Sequence, residues 1–171
     1  KGLEMENLWS PWRSQYIESF DKPNSQHEEC FLCSGATAIE EDEPRLIVAR
    51  GELCFVVMNR YPYNSGHILV APYRHIGELP LLTKSERDEI MDTVNVACEV
   101  LTELYRPHGI NIGANIGRAA GAGVPGHIHF HLVPRWNGDT NFMPLIAEVK
   151  VISESMEQAF HQLKESFRKK L

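Results

Sequence analysis

The chain has 171 residues and a formal net charge of −6, with 43% hydrophobic and 23% charged residues. These figures fit one ordinary globular domain and exclude a disordered chain, a collagen and a coiled coil. The charge argues against a broad basic surface for nucleic acid, no apolar run could span a bilayer, and the opening residues lack a signal-peptide core; the expectation is a cytoplasmic protein with no nucleic-acid or membrane partner.

Residues 1–29 read as an N-terminal arm. Leu8-Trp9-Ser10-Pro11-Trp12 and Tyr16-Ile17 are too apolar to stay in water. They are expected to pack on the domain or a second subunit, or to line a substrate site. The domain proper is expected over 30–171. Arg45–Arg50 and Leu53–Met58 read as strands around a Gly51-Glu52 turn, and His67–Ala71 as a third, ended by Pro72. Asn59–Gly66, rich in turn formers, is a loop. Thr83-Lys84-Ser85-Glu86 is a capping box. Behind it Ile90, Met91, Val94, Ala97, Cys98, Leu101, Leu104 and Tyr105 keep helical spacing to Arg106, where Pro107 stops the helix. Ile110–Asn115 and Ile128–Val133 read as strands around the glycine-rich loop Gly117–Gly126, the second ended by Pro134. After a loop at Asn137–Asn141, a weaker strand around Val149–Ile152 and a last helix at about 153–169 complete the pattern. Neighbouring strands outnumber strand–helix–strand alternations. The fold class is therefore α+β, a mostly antiparallel sheet of about five strands with one long and one C-terminal helix. Cys54 and Cys98 sit among apolar neighbours and read as buried core residues.

The informative segment is Gly126-His127-Ile128-His129-Phe130-His131-Leu132-Val133-Pro134. In a strand, alternate side chains share a face, so His127, His129 and His131 line one side while Ile128, Phe130 and Leu132 bury the other. Eight histidines in 171 residues give such an alternation by chance in about 2% of chains. Two chemistries fit it. Adjacent same-face imidazoles could share a metal ion. Alternatively, a central histidine could be a nucleophile whose neighbours bind an anion or donate a proton. The preceding glycine-rich loop lets backbone N–H groups approach an anion, which favours catalysis on a phosphate.

His-x-His-x-His followed by two apolar residues resembles the signature of the histidine triad (HIT) nucleotide hydrolases and transferases. Val57–Val70 is similar to that family's nucleoside-binding strand–loop–strand. Leu8–Arg13, His131–Trp136 and Gly138–Phe142 resemble one branch, the bacterial diadenosine tetraphosphate phosphorylases, or ATP adenylyltransferases. The likeness spans about residues 7–165. It implies a HIT-like fold over 30–171 and a homodimer with the long helix and a sheet edge at its interface. It also implies that His129 takes an adenylyl group, flanked by His127 and His131. His131 would hydrogen-bond phosphate oxygens and could protonate the departing nucleotide. Asn59 would hold the ribose, His67 would lie beside the nucleoside, and Asn115 with the backbone around Gly121–Gly123 would bind phosphate. Trp136, with Gly138–Phe142, points to the phosphorylase branch and joins the substrate-binding set. Gly123 stands where many HIT hydrolases have glutamine, a departure that fits the same branch. Magnesium would travel with the nucleotide.

Cys30-Phe31-Leu32-Cys33 is half of a zinc site, a redox pair, or two isolated thiols. No thioredoxin-like unit lies nearby, and a structural zinc needs two further ligands. The family resemblance implies His75 and His127 as those ligands, with His27 and His108 as spare candidates. Such a zinc would tie the N-terminal segment to the histidine strand without taking part in the reaction.

Three functions follow as expectations. The first is a nucleotidyltransferase that cleaves diadenosine tetraphosphate with inorganic phosphate to ATP and ADP through adenylylated His129. The second is a HIT hydrolase that uses water on dinucleoside polyphosphates or nucleoside phosphoramidates. The third is a zinc-stapled nucleotide-binding module without turnover. Products formed with and without phosphate separate the first two, and a nucleotide surviving unchanged identifies the third.

Overall fold

The segments Cys54–Met58 and Ile68–Pro72 are apolar at every position. Such strands have no side to show to water, so they belong mid-sheet with packing on both faces. The computed structural model of the protein describes residues 30–139 and 154–171, and in it both segments are buried throughout. The strands are β1 (Ile47–Arg50), β2 (Cys54–Met58), β3 (Ile68–Pro72), β4 (Gly109–Ala114) and β5 (Phe130–Arg135). They form one antiparallel sheet in the order β1-β2-β3-β5-β4. Among the described residues there are three α-helices: α1 (Phe31–Thr37), α2 (Lys84–Tyr105) and α3 (Met156–Arg168). The expected class, strand number and two main helices are those observed. The expected arm over 1–29 and the strand around 149–152 lie outside the described residues.

One face of the sheet carries Val56, Met58, Ile68, Val70, Ile128 and Leu132. Helix α2 buries Ile90, Val94, Ala97 and Leu101 against it, and α3 buries Ala159, Phe160, Leu163 and Phe167. Each of the Ile, Val, Leu and Phe side chains among them contributes about 1.5–3 kcal/mol by leaving water. The opposite face carries Phe55, Val57, Leu69 and Ala71, covered by Leu32 from α1. The capping box is complete: Thr83 Oγ1 accepts from Glu86 N at 3.2 Å, and Glu86 Oε2 accepts from Thr83 N at 2.7 Å. Arg74, two residues past β3, clamps Glu86 through both carboxylate oxygens at 2.9 and 2.7 Å. That guanidinium, helped by the Thr83 N–H, holds the Glu86 carboxyl down at about 2. Helix α2 stops at Arg106 in the left-handed region (φ 45°), just before Pro107.

Three expectations need correction. Pro134 lies inside β5, opposite Ile110, and does not end it. Because Arg135 O faces β4, where it accepts from His108 N, the Pro134 carbonyl turns the other way. There it accepts from Asn64 Nδ2 at 3.1 Å, past the end of β3, so the missing N–H faces no strand. Regular pairing also begins only at Phe130, so His127 and His129 sit on an extended lead-in held by Ile128 N donating to Ile76 O at 2.6 Å. Cys98 is only half-buried, on the margin of the core, whereas Cys54 is fully buried as expected. The short helix α1 has no counterpart among the expected elements, because its seven residues carry no full amphipathic repeat.

Candidate active site and an adjoining Cys–His cluster

Antiparallel register decides which side the histidines face. His131 lies opposite Leu69, so it shares the face of Leu69 and Ala71, which α1 covers. Its neighbours Ile128 and Leu132 point into the core beneath α2 and α3. His127 and His129 are buried, at 0% and 5% exposure, and His131 is partly buried.

The hydrogen bonds fix where the protons lie. His129 Nδ1 is 2.8 Å from the main-chain oxygen of His127. A carbonyl only accepts, so Nδ1 carries the hydrogen and Nε2 keeps its lone pair. Burial pushes the His129 imidazole below its ordinary range, against the pull of that carbonyl, so the neutral form persists at pH 7. The second chain starts at Tyr63, whose N–H donates to His67 Nδ1 at 3.0 Å. His67 therefore carries its hydrogen on Nε2, which lies 3.0 Å from His131 Nδ1. His131 accepts there and bears its own hydrogen on Nε2. That nitrogen is buried and has no hydrogen-bond partner among the described residues. Burial, with His129 beside it, holds the His131 imidazole down at about 4.

His67 stands one residue before β3, and the β3–β5 register carried back to it makes it a diagonal neighbour of His131. Two features bring it there. Gly66 takes φ 72° to turn the chain into β3, and a Cβ on it would meet the Tyr105 ring at 2.8 Å. The loop also closes on itself, with Asn59 N donating to His67 O at 3.0 Å. The Asn59 amide rests against the His67 ring, 3.4 Å from Nδ1, while its Oδ1 accepts from Tyr61 N at 2.9 Å. Asn64 Nδ2 joins Asp139 Oδ2 at 2.9 Å, and Arg135 makes a two-pronged pair with the same carboxylate at 2.6 and 2.7 Å. The loop after β2 is thereby tied to the end of β5. Trp136 follows β5 directly, and its N–H donates to Asp139 Oδ2 at 3.1 Å. Asn115 Nδ2 donates to Gly121 O at 3.4 Å across the glycine-rich loop, in which Gly121 takes φ 84° and Gly123 is partly buried.

His127 faces a different task. Its Nε2 donates to Pro72 O at 2.8 Å, which leaves Nδ1 as the lone-pair nitrogen. That atom is 3.4 Å from both Cys30 Sγ and Cys33 Sγ, and His75 Nδ1 is 3.1 Å from Cys33 Sγ. All four donor atoms lie within 4.8 Å of one another. A tetrahedral zinc with S and N ligands has donor–donor edges of about 3.5 Å, so the donor set and its spacing fit that ion. With a metal on Nδ1, the Pro72 carbonyl behind His127 would be the outer partner that orients the imidazole. Burial and the neighbouring Cys30 push the Cys33 thiol up to about 11. Close approach of main chain makes the cluster possible: a Cβ on Gly77 would stand 2.3 Å from Pro125 O. Of the spare candidates, His108 is engaged with Asn137 N at 2.9 Å, and His27 lies outside the described residues.

The structure thus brings together all four expected metal ligands, and separately His67, His129 and His131. The proton chain through Tyr63 was not legible in the sequence, because it depends on a main-chain N–H and on strand register.

The HIT domain model matches residues 40–138. The chain belongs to the HIT domain family. It is 40% identical over 153 residues to a Mycobacterium tuberculosis protein named AP-4-A phosphorylase, covering 88% of this chain and 78% of that one. It is 34% identical over 90 residues to the asymmetrical bis(5'-nucleosyl)-tetraphosphatase of Schizosaccharomyces pombe, covering 53% of this chain and 49% of that one. Among solved structures, a Zn-bound histidine triad family protein from Mycobacterium smegmatis superposes with a TM-score of 0.65 at 23% identity, covering 82% of this chain and 94% of that one. The last likeness is one of fold.

Proposed function

We propose that this HIT protein transfers the adenylyl group of diadenosine tetraphosphate to inorganic phosphate, forming ATP and ADP through adenylylated His129. The observation that carries this reading is the His129 Nδ1 contact to the His127 carbonyl at 2.8 Å, which leaves Nε2 as a neutral, oriented nucleophile. Nε2 attacks the α-phosphorus, an Nε2–P bond forms, the bond to the bridging oxygen breaks, and ATP departs. A phosphate oxygen then attacks the same phosphorus, breaks the N–P bond and yields ADP. His131 donates its Nε2–H as a hydrogen bond to the phosphate oxygens. Full proton transfer is unnecessary, since a terminal phosphate has a second pKa of about 6 and leaves readily as an anion at pH 7. His127 serves through its main chain, because both of its ring nitrogens are engaged elsewhere.

Asn59 is assigned to the ribose, Asn115 with the Gly121–Gly123 backbone to phosphate, and Trp136 and His67 to the substrate side of the site. Magnesium enters with the nucleotide. The Cys30, Cys33, His75 and His127 cluster is assigned to zinc in a structural role, on the donor spacing above. A homodimer through β4 accords with its place at the sheet edge and with the exposed Ile112 and Ile116. No described helix is long and apolar enough to cross a membrane, and a cytoplasmic site of action is part of the same reading.

The 40% identity to a protein named AP-4-A phosphorylase favours phosphate as the acceptor. The likeness to a tetraphosphatase supports a second reading, with water in that place. Incubation with diadenosine tetraphosphate, with and without phosphate, separates them. ATP plus ADP formed only with phosphate is expected. ATP plus AMP regardless of phosphate would replace the phosphorylase by the hydrolase. An unchanged dinucleotide would leave a binding module.

A further inference from the structure

Tyr63 stands in the loop between β2 and β3 and is 52% exposed, yet its ring is not loose. It packs on His67 with centroids 4.8 Å apart and planes at 33°, and on His131 at 6.0 Å and 15°. His67 and His131 are themselves 5.2 Å apart, so one phenol spans both imidazoles from the outside. The same residue's N–H is the donor that makes His67 Nδ1 an acceptor. An aromatic in a nucleotide site would ordinarily be assigned to the base. Here the ring already packs on two histidines, and the main-chain N–H of the same residue reaches one of them, His67.

We infer that Tyr63 is a positioning residue of the triad: its N–H and its ring together hold the His67–His131 pair in the one tautomer that leaves a hydrogen on His131 Nε2. The two contacts act on one equilibrium. The N–H selects Nε2–H on His67, which selects Nδ1 as acceptor on His131. The ring keeps water from the 3.0 Å His67–His131 contact, where a competing donor could reverse both tautomers. Among the described residues, Tyr63, His67 and His129 are the titratable groups whose rings pack on His131. The hydroxyl has no part in this, so phenylalanine serves as well as tyrosine. The catalytic consequence rests on the adenylyl-transfer reading above, whereas the tautomer itself does not.

The test is nitrogen NMR of the histidine side chains in substrate-free wild type, Y63F and Y63A, paired with steady-state kinetics on diadenosine tetraphosphate. Wild type and Y63F are expected to show His131 protonated at Nε2 and bare at Nδ1. Y63A is expected to show averaging between the two tautomers. Its kcat should fall about tenfold with KM within about threefold, and Y63F should restore most of the rate. Wild-type His131 protonated at Nδ1 would overturn the inference without any variant. So would a Y63A protein with an unchanged tautomer, or one with unchanged kcat and a raised KM, which would make Tyr63 a platform for the base. If none of the three proteins turns over the dinucleotide, the adenylyl-transfer reading fails, and the tautomers still decide the role of Tyr63.

Discussion

His131 carries a cost that pH exposes. Burial and His129 hold its imidazole at about 4, whereas an unfolded histidine takes its proton near about 6.5. Between those values the unfolded chain binds the extra proton, so stability falls as pH falls through that window. Calorimetric melting of wild type and H131N should show this. The wild-type midpoint, measured relative to the variant, should be level above about pH 7 and drop between about pH 6.5 and 4. A constant difference across the range would mean that His131 is not held neutral. His129 has the opposite virtue: the burial that disfavours its charged form keeps its lone pair available at neutral pH. H129A and H129N should lose adenylyl transfer by about 10³-fold or more while melting within a few degrees of wild type. Near-wild-type turnover would remove His129 from its role.

The start of α2 is over-determined. Glu86 caps Thr83 and takes both prongs of Arg74, which also holds Leu81 O at 3.0 Å. Replacing Glu86 by Ala strands the Thr83 N–H, while Arg74 keeps Leu81 O and water, and should cost about 1 kcal/mol in urea unfolding with an unchanged m-value. Gly77 is decisive in another way. A Cβ there meets Pro125 O at 2.3 Å and Gly126 Cα at 3.1 Å, main-chain atoms that no rotamer change can move. G77A should therefore part His75 from His127, lowering both bound zinc and melting temperature; full zinc content in a stable variant would contradict that. The capping box, helical spacing and apolar runs were plain in the sequence because each is local. Helix α1 and the interior position of Pro134 were not. The first is too short to show a period, and the second is tolerated because its missing N–H faces past the end of β3, where Asn64, 70 residues away, takes the carbonyl.

The Cys–His cluster joins residues 94 and 97 positions apart, bringing α1 and the end of β3 to the lead-in of β5. Closing a span of that length removes much freedom from the unfolded chain. Chelation should lower the melting point by about 6–12 °C, the equivalent of about 3 kcal/mol in a domain of this size, and zinc should restore it. The same cluster abuts His129, since the residue that offers Nδ1 to the thiols offers its main-chain oxygen to His129. Alternation of histidines made a shared face legible from sequence. It did not reveal that His127 faces the thiols while His129 and His131 form a second group, because that division depends on Pro72 and His67 at the two ends of β3. The proposed chemistry turns on His129. Protein mixed with diadenosine tetraphosphate labelled at the α-phosphate, without inorganic phosphate, should be quenched in alkali and digested. An acid-labile label is expected on the peptide containing His129, discharged to ADP when phosphate is added before the quench. Label on another residue, or steady turnover with no trapped label in wild type, would contradict it.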